Sequence, residues 1–370
     1  MPGWDVAVVG AGIAGAAVAW GCARRGARVV VVERAPQPGA GASGAAAGML
    51  APCSEAPVAG PFLDLCRRSL ALWPALAATL LEEGGVDCEL DTCGLLRVAL
   101  DASDAPGLRE RAAAQRAAGV AVDWLDAAAT AAAEPALAAS AGAALYAEEG
   151  HVHSVRAVNA LLAAARHHGA ELLTGAEVTG ALDGGGVRLD DGRPLPAATV
   201  VLCAGAWSGR LADALGVPPL PVEPVRGQLL GVRDLDPAPR RVVFAGLQGY
   251  AVAKRDGVTL VGATEDHAGF DARRTEAAER RLRAVGTRLL RGFATATPAH
   301  AWVGLRPRAP DGLPLLGRLG DTLLTATAHH RNGVLLAPAT AEGMASLVLD
   351  GVTPPGWEAF DPRRRFGGAA

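Results

Sequence analysis

Aromatic residues are scarce in this 370-residue chain: they make up 4% of it, and only two are tyrosines. Its interior must therefore be built from alanine, valine and leucine. That composition suits close packing of helices on strands and excludes a disordered polar chain. Charge of one sign is equally scarce. A formal net charge of −3 and a pI near 6.3 leave no electrostatic footprint for nucleic acid. The run Arg363-Arg364-Arg365 is too short to change this and reads as a solvated tail. Outside the first strand and helix no apolar run of about 18 residues lacks charge or proline, so no transmembrane helix is predicted. The early apolar stretch at Val6 is broken by glycines and needed by a following strand, which makes it part of the fold and not a signal peptide. Cys22, Cys53, Cys66, Cys88, Cys93 and Cys203 form no CxxC pair, and they read as reduced thiols of a cytoplasmic protein. The length allows two domains of ordinary size, with no internal repeat.

What is present is concentrated at the front. Asp5 to Arg34 reads as a strand (Val6 to Val9), the turn Gly10-Ala11-Gly12-Ile13-Ala14-Gly15, a helix to about Arg25 and a second strand (Arg28 to Val32) that ends at Glu33. Each part has a job if a dinucleotide sits there. Gly10 allows the tight turn, Gly12 lets a pyrophosphate approach the backbone, and Gly15 lets the helix lie close on the strand. The helix N-terminus offers free N–H groups to the phosphates, and Glu33 is placed to accept from ribose hydroxyls. Small residues then dominate Ser43 to Pro52, where the backbone can lie flat against a ring system.

Further along, helices are predicted over Phe62 to Glu83, Ala105 to Ala118 and, with Ser154 as N-cap, Arg156 to His168. His151 and His153 form an HxH pair with no cysteine nearby in sequence and read as a surface strand; no metal site is predicted. Strands at Glu171 to Leu173 and Glu177 to Leu182 suggest a small antiparallel layer. A buried strand, Thr199 to Cys203, then runs into Ala204-Gly205-Ala206-Trp207. This second strand followed by Ala-Gly, far from the first, points to a discontinuous dinucleotide-binding domain of the kind flavoproteins build. Gln248 to Thr264 reads as a hairpin around Asp256-Gly257. With a two-residue turn, Tyr250 faces Ala263 and Gln248 faces Glu265, all on one side of the sheet. The last seventy residues are expected to return to the cofactor domain, ending in a helix from about Val334 to Leu349 whose N-terminus is free of acids. The predicted fold class is α/β, with α+β character in the second unit. A Rossmann-like FAD-binding domain (1–85, 150–220, 300–370) carries a mixed or antiparallel-sheet substrate domain (86–149, 221–299).

Taken together, GAGIAG with Glu33, SGAAAGMLAP (43–52), VLCAGAW (201–207), PVRGQ (224–228), GATED (262–266), GLRP (304–307) and HRNGVLLAPAT (330–340) resemble the D-amino acid oxidase superfamily of flavoproteins, most closely its glycine oxidase branch in thiamine biosynthesis. The resemblance runs nearly end to end. It implies noncovalent FAD, since the covalent relatives use a cysteine near the GLRP motif and none follows Cys203 here. It implies a small amino acid substrate, oxygen as acceptor and a homo-oligomer. On this resemblance Arg306 binds the substrate carboxylate, Tyr250 assists and Arg331 lies near flavin and substrate, with Met49, Glu265 and Gln248 at the pocket. The cofactor set is Gly10, Gly12, Ile13, Ala14, Gly15, Glu33, Arg34, Ser43, Gly44, Ala46, Ala47, Gly48, Met49, Val178, Ala204, Gly205, Trp207, Arg306, His330, Arg331, Asn332, Gly333, Val334 and Leu335. The expected reaction is oxidative deamination by hydride transfer to FAD, giving a 2-oxo acid, ammonia and hydrogen peroxide. The alternatives are a dehydrogenase of the same fold that passes electrons to another acceptor, and a flavin subunit of a glycine-oxidising complex. Glu265, Gln248 and Cys53 depart from the branch's usual residues.

Overall fold

A computed structural model of the chain describes residues 3–55 and 59–364. Its centre is a six-stranded sheet in the spatial order 315–318, 323–327, 197–202, 4–9, 29–33, 171–174. Neighbours run parallel except for the hairpin 315–318 with 323–327. Buried on both faces, the inner strands are near-continuous valine, alanine and leucine, as parallel strands require. One face carries the helices Ile13–Ala23, Pro61–Gly84, Ser154–His167 and Ala337–Leu349, which pack on one another and share the largest core cluster. Ser69 Oγ and Trp73 Nε1 on the second helix both donate to the Leu335 carbonyl (2.7 and 3.1 Å), which ties the approach to the last helix into that layer. The other face is covered by a three-stranded antiparallel sheet (178–181, 187–189, 194–195) and the helix Ser208–Ala214.

A second sheet of eight strands stands beside the first, in the order 297–308, 223–233, 259–262, 250–253, 242–244, 95–99, 142–146, 122–126. It is antiparallel throughout except where 242–244 runs parallel to 95–99. The amphipathic helix Glu276–Leu289 packs on it through Ala278, Leu282 and Leu289, and Thr275 caps that helix by accepting from Ala278 N–H (3.2 Å). The α/β class with its discontinuous parallel unit is as expected.

Several local expectations are corrected. Glu171–Thr174 is the edge of the large parallel sheet, not part of the antiparallel layer. Residues 297–308 form the longest partner of 223–233, so the chain returns to the parallel unit after Arg308 and not at residue 300. His153, not Ser154, caps its helix, its Nδ1 accepting from Arg156 N–H, while Ser154 Oγ donates to the Ala46 carbonyl (2.8 Å). The last helix is regular only from Ala337; Asn332 to Leu336 make a single turn closed by Leu336 N–H on the Asn332 carbonyl (2.8 Å). Arg364 is packed against Asp311 and the carbonyls of Leu313 and Pro314 and is not a solvated tail; Arg365 lies outside the described residues.

Candidate active site

The opening strand, turn and helix set the geometry of a long cavity. Gly10 has φ +105°, in the region where side chains are disfavoured, and a Cβ on Gly15 would lie 1.9 Å from the Gly10 carbonyl oxygen. Only glycine at both positions lets the helix sit this close to the strand. At the end of the second strand, the Glu33 carboxylate accepts from Ala11 N–H (2.8 Å) and Ala35 N–H (2.9 Å), one bond per oxygen. Each oxygen keeps acceptor capacity for a further donor. Ser43 Oγ accepts from Ile13 N–H (3.0 Å), fastening the small-residue loop over the helix N-terminus.

The cavity running from there has a volume of about 420 Å³. Gly10, Gly12, Ile13, Ala14, Glu33, Arg34, Ser43, Ala46, Val178, Ala204, Gly205, Trp207, His330, Arg331, Gly333 and Val334 line it. At the Glu33 end the Arg34 guanidinium stacks over Trp207 (4.1 Å), Trp207 meets Phe270 (5.6 Å) and Arg210 covers Phe270 (3.5 Å). These stacks form a flat cationic wall. Of the remaining expected cofactor positions, Gly15 acts through packing, and Gly44, Asn332 and Leu335 line neither this cavity nor the smaller one beside it. The chain reading missed Arg210, Gly39 to Ala42 and His329. His329 is buried, 3.2 Å from Thr340 Oγ1, and burial pushes its pKa down to about 4.

The smaller cavity, of about 70 Å³, shares Ala42, Ala46, His330, Arg331 and Val334 with the first. Its other walls are Ala45, Ala47, Gly48, Met49, Gly227, Tyr250, Gly304 and Arg306. Arg306 stands on strand 297–308 opposite Val225, and its guanidinium lies across Gly227, where a Cβ would come within 2.1 Å of Nη1. Nη1 donates to the Thr264 carbonyl (3.1 Å), which fixes the plane of the fork. Gly227 and Gly304 face each other in the sheet, and their missing side chains make the room. Neither was singled out in the sequence, although both lie inside quoted motifs.

Tyr250 differs from expectation in its partner. It pairs with Gly262, not Ala263, because the hairpin closes with three residues, Arg255 to Gly257, between Lys254 and Val258. Its ring fills the space over Gly262, where a Cβ would meet Cζ at 2.3 Å. The strand begins only at Tyr250, so Gln248 lies outside it. It is exposed on the short turn Gly246–Gln248 and does not line the cavity. Glu265 lies beyond the strand, 38% exposed, outside the lining of either cavity, with Oε1 3.7 Å from His330 Nε2. His330, with φ +48°, is held neutral. Burial, then the charges of Arg306 and Arg331, push its pKa down to about 3. The contact with Glu265 is therefore not an ion pair. Among the described residues no carboxylate lines the smaller cavity, while two guanidiniums do.

His151, read as a surface residue, is buried on strand 150–151 opposite Met49. Its Nδ1 is 3.2 Å from Nζ of Lys254, the chain's one lysine, and Nζ donates to the Val152 carbonyl (2.9 Å). Burial pushes Lys254 down to about 7 and His151 down to about 3. Asp91 and Cys93 approach the same imidazole, a constellation hidden in the sequence by some sixty intervening residues.

Residues 5–347 match the protein family described as FAD dependent oxidoreductase. The chain belongs to that family. It is similar to the glycine oxidase of Geobacillus kaustophilus, 37% identical over 351 residues that cover 93% of each chain. Similarity to the glycine oxidase of Pseudomonas aeruginosa is 36% over 352 residues, 93% of this chain and 94% of that one. The crystal structure of the Geobacillus kaustophilus enzyme superposes with a TM-score of 0.93 at 35% identity, covering 98% of this chain and 99% of the other. The protein is thus an FAD-dependent oxidoreductase, and none of its described helices is long and apolar enough to cross a membrane.

Proposed function

We propose that the protein oxidatively deaminates glycine or another small amino acid, with noncovalent FAD in the long cavity and oxygen as final electron acceptor. The observation that carries the reading is the smaller cavity: among the described residues it has two guanidiniums, no carboxylate and walls of alanine and glycine, and it opens beside a dinucleotide-shaped one. The long cavity fits the cofactor by its donor set. The glycine turn would take the pyrophosphate, Glu33 the ribose hydroxyls, and the Arg34–Trp207 stack a flat heterocycle. FAD, when bound, supplies the two-electron oxidising group.

The chain's own residues do the rest. The Arg306 fork holds a substrate carboxylate at two points, which fixes the direction of the Cα–H. Tyr250, braced on Gly262, offers its hydroxyl at the same cavity. Ala45, Ala46, Ala47 and Met49 limit the side chain a substrate can carry. His330 stays neutral and adds no charge against the substrate amine. The balanced reaction is amino acid, water and oxygen to 2-oxo acid, ammonia and hydrogen peroxide. Cys203 lines the long cavity, but burial pushes its thiol well above the ordinary range, which supports noncovalent binding. We assign the parallel sheet with its helices to the FAD-binding unit (1–85, 150–220 and the chain after Arg308) and the eight-stranded sheet to the substrate unit. The free cysteines accord with residence in the cytoplasm.

Peroxide release from glycine, sarcosine, D-alanine and polar D-amino acids tests the reading. Turnover of small substrates with oxygen supports it; turnover only with an artificial acceptor would make the protein a dehydrogenase. Acid precipitation should leave yellow FAD in the supernatant, and flavin retained in the pellet would contradict noncovalent binding.

A further inference from the structure

Behind the Met49 wall of the smaller cavity, two stretches of backbone meet. Asp91 and His151 exchange hydrogen bonds (Asp91 N–H to the His151 carbonyl, 2.8 Å; His151 N–H to the Asp91 carbonyl, 2.9 Å), and Gly94 N–H continues the pairing onto Glu149 (2.9 Å). In such an extended stretch, residues two apart project to the same side. Asp91 and Cys93 accordingly bring their side chains to the imidazole opposite. The carboxylate oxygen, the sulfur and the ring nitrogen all lie within 4.8 Å of one another, with His151 Nε2 4.0 Å from Asp91 Oδ2. Lys254 Nζ holds the other ring nitrogen, Nδ1, at 3.2 Å and so fixes the ring with Nε2 turned to the cluster. When Nε2 ligates an ion, Nδ1 carries the ring proton and donates it to the lone pair of the uncharged Lys254 amine, an outer contact that orients a metal-binding histidine.

We propose that Asp91, Cys93 and His151 form a binding site for a single divalent metal ion of borderline softness, with Zn²⁺ the best match. One thiolate, one imidazole and one carboxylate are the donor types such an ion prefers; calcium and magnesium, which take oxygen alone, are excluded. Tetrahedral bonds of about 2.0–2.3 Å place ligand atoms roughly 3.3–3.5 Å apart, so closure needs a contraction of at most about 1.5 Å. The half-exposed side chains of Asp91 and Cys93 can supply it by rotation, while buried His151 stays fixed. On binding, the Cys93 thiol releases its proton to solvent and a water fills the fourth position. The ion would clamp the approach to strand 95–99 onto strand 150–151, whose His151 pairs with Met49. This site is independent of the substrate reading.

The test uses the FAD-loaded protein after treatment with a chelator. Cobalt(II) is added and absorption is followed in the red, where oxidised flavin is transparent. Strong tetrahedral bands should saturate at one equivalent and vanish when Zn²⁺ is added. Cys93→Ser should abolish the bands. Cys93 is the single half-exposed cysteine, the other five being buried, so alkylation of the native chain reports on it directly. Zn²⁺ should slow that alkylation at least about tenfold, a readout that stands even if Cys93→Ser fails to fold. Bands that survive Cys93→Ser, or an alkylation rate indifferent to Zn²⁺, would overturn the site.

Discussion

At the scale of single residues, Arg306 is held in place by what its neighbours lack. Its guanidinium lies where any side chain on Gly227 would go, and one donor is committed to the Thr264 carbonyl. Arg306→Ala should raise the apparent KM for glycine by roughly 10- to 100-fold, the loss of about 1.5–3 kcal/mol for hydrogen bonds to a charged group, and leave the flavin spectrum intact. Steady-state kinetics alongside an absorption spectrum checks this, and an unchanged KM would assign Arg306 to structure. Gly227→Ala should act in the same direction by displacing the fork, with FAD retained. Glu265 gives the opposite expectation. Exposed, and 3.7 Å from a neutral imidazole, it should have little influence on substrate choice. Glu265→Met is expected to change activity ratios across the substrate panel by less than about fivefold, the most an exposed charge contact supports. A larger shift would put the carboxylate in the pocket after all.

At the scale of elements, the hairpin that carries Tyr250 depends on Gly257, whose φ of +82° closes the three-residue loop, with Asp256 accepting from Val258 N–H (3.0 Å). Gly257→Ala should cost about 1–2 kcal/mol, read as a lower urea midpoint with unchanged slope. This loop also shows where sequence stops being informative. Asp-Gly serves two-residue and three-residue loops alike, and the difference of one residue separates Tyr250 over Gly262 from a false partnership of Gln248 with Glu265. The opening strand, glycine turn and helix were legible because composition, spacing and a terminal acid all pointed the same way. Strand 297–308 was recognised as a strand but given to the wrong unit, since alternation reveals a strand and not its partner. His151 was misread for a related reason. Nothing beside it in sequence shows that Lys254, Asp91 and Cys93 gather round it.

For the whole molecule, the groups buried without charge set the dependence of stability on pH. His151, His329 and His330 are held down to about 3, 4 and 3 from an ordinary value of 6.5. Between pH 6.5 and about 4 the unfolded chain binds protons there that the folded chain refuses, so stability falls with acid, at a slope approaching about three protons. Lys254 extends the rise to higher pH. Its ordinary value is 10.5 and its folded value about 7, so above pH 7 the unfolded chain alone holds that proton and stability climbs further. Cysteines impose the ceiling. Burial lifts Cys22 to about 12 and Cys53 and Cys93 to about 11 from 9, so above pH 9 the unfolded chain releases protons that the folded chain keeps, and stability declines. Urea midpoints of the FAD-loaded, chelator-treated protein should therefore fall below pH 6.5, rise from pH 7 to 9, and fall again beyond. The middle limb belongs to the chain's one lysine. Lys254→Met loses the hydrogen bond to the Val152 carbonyl and sits lower overall, but its midpoint should be flat from pH 7 to 9. A slope there equal to that of the native chain would mean that Lys254 stays charged in the fold.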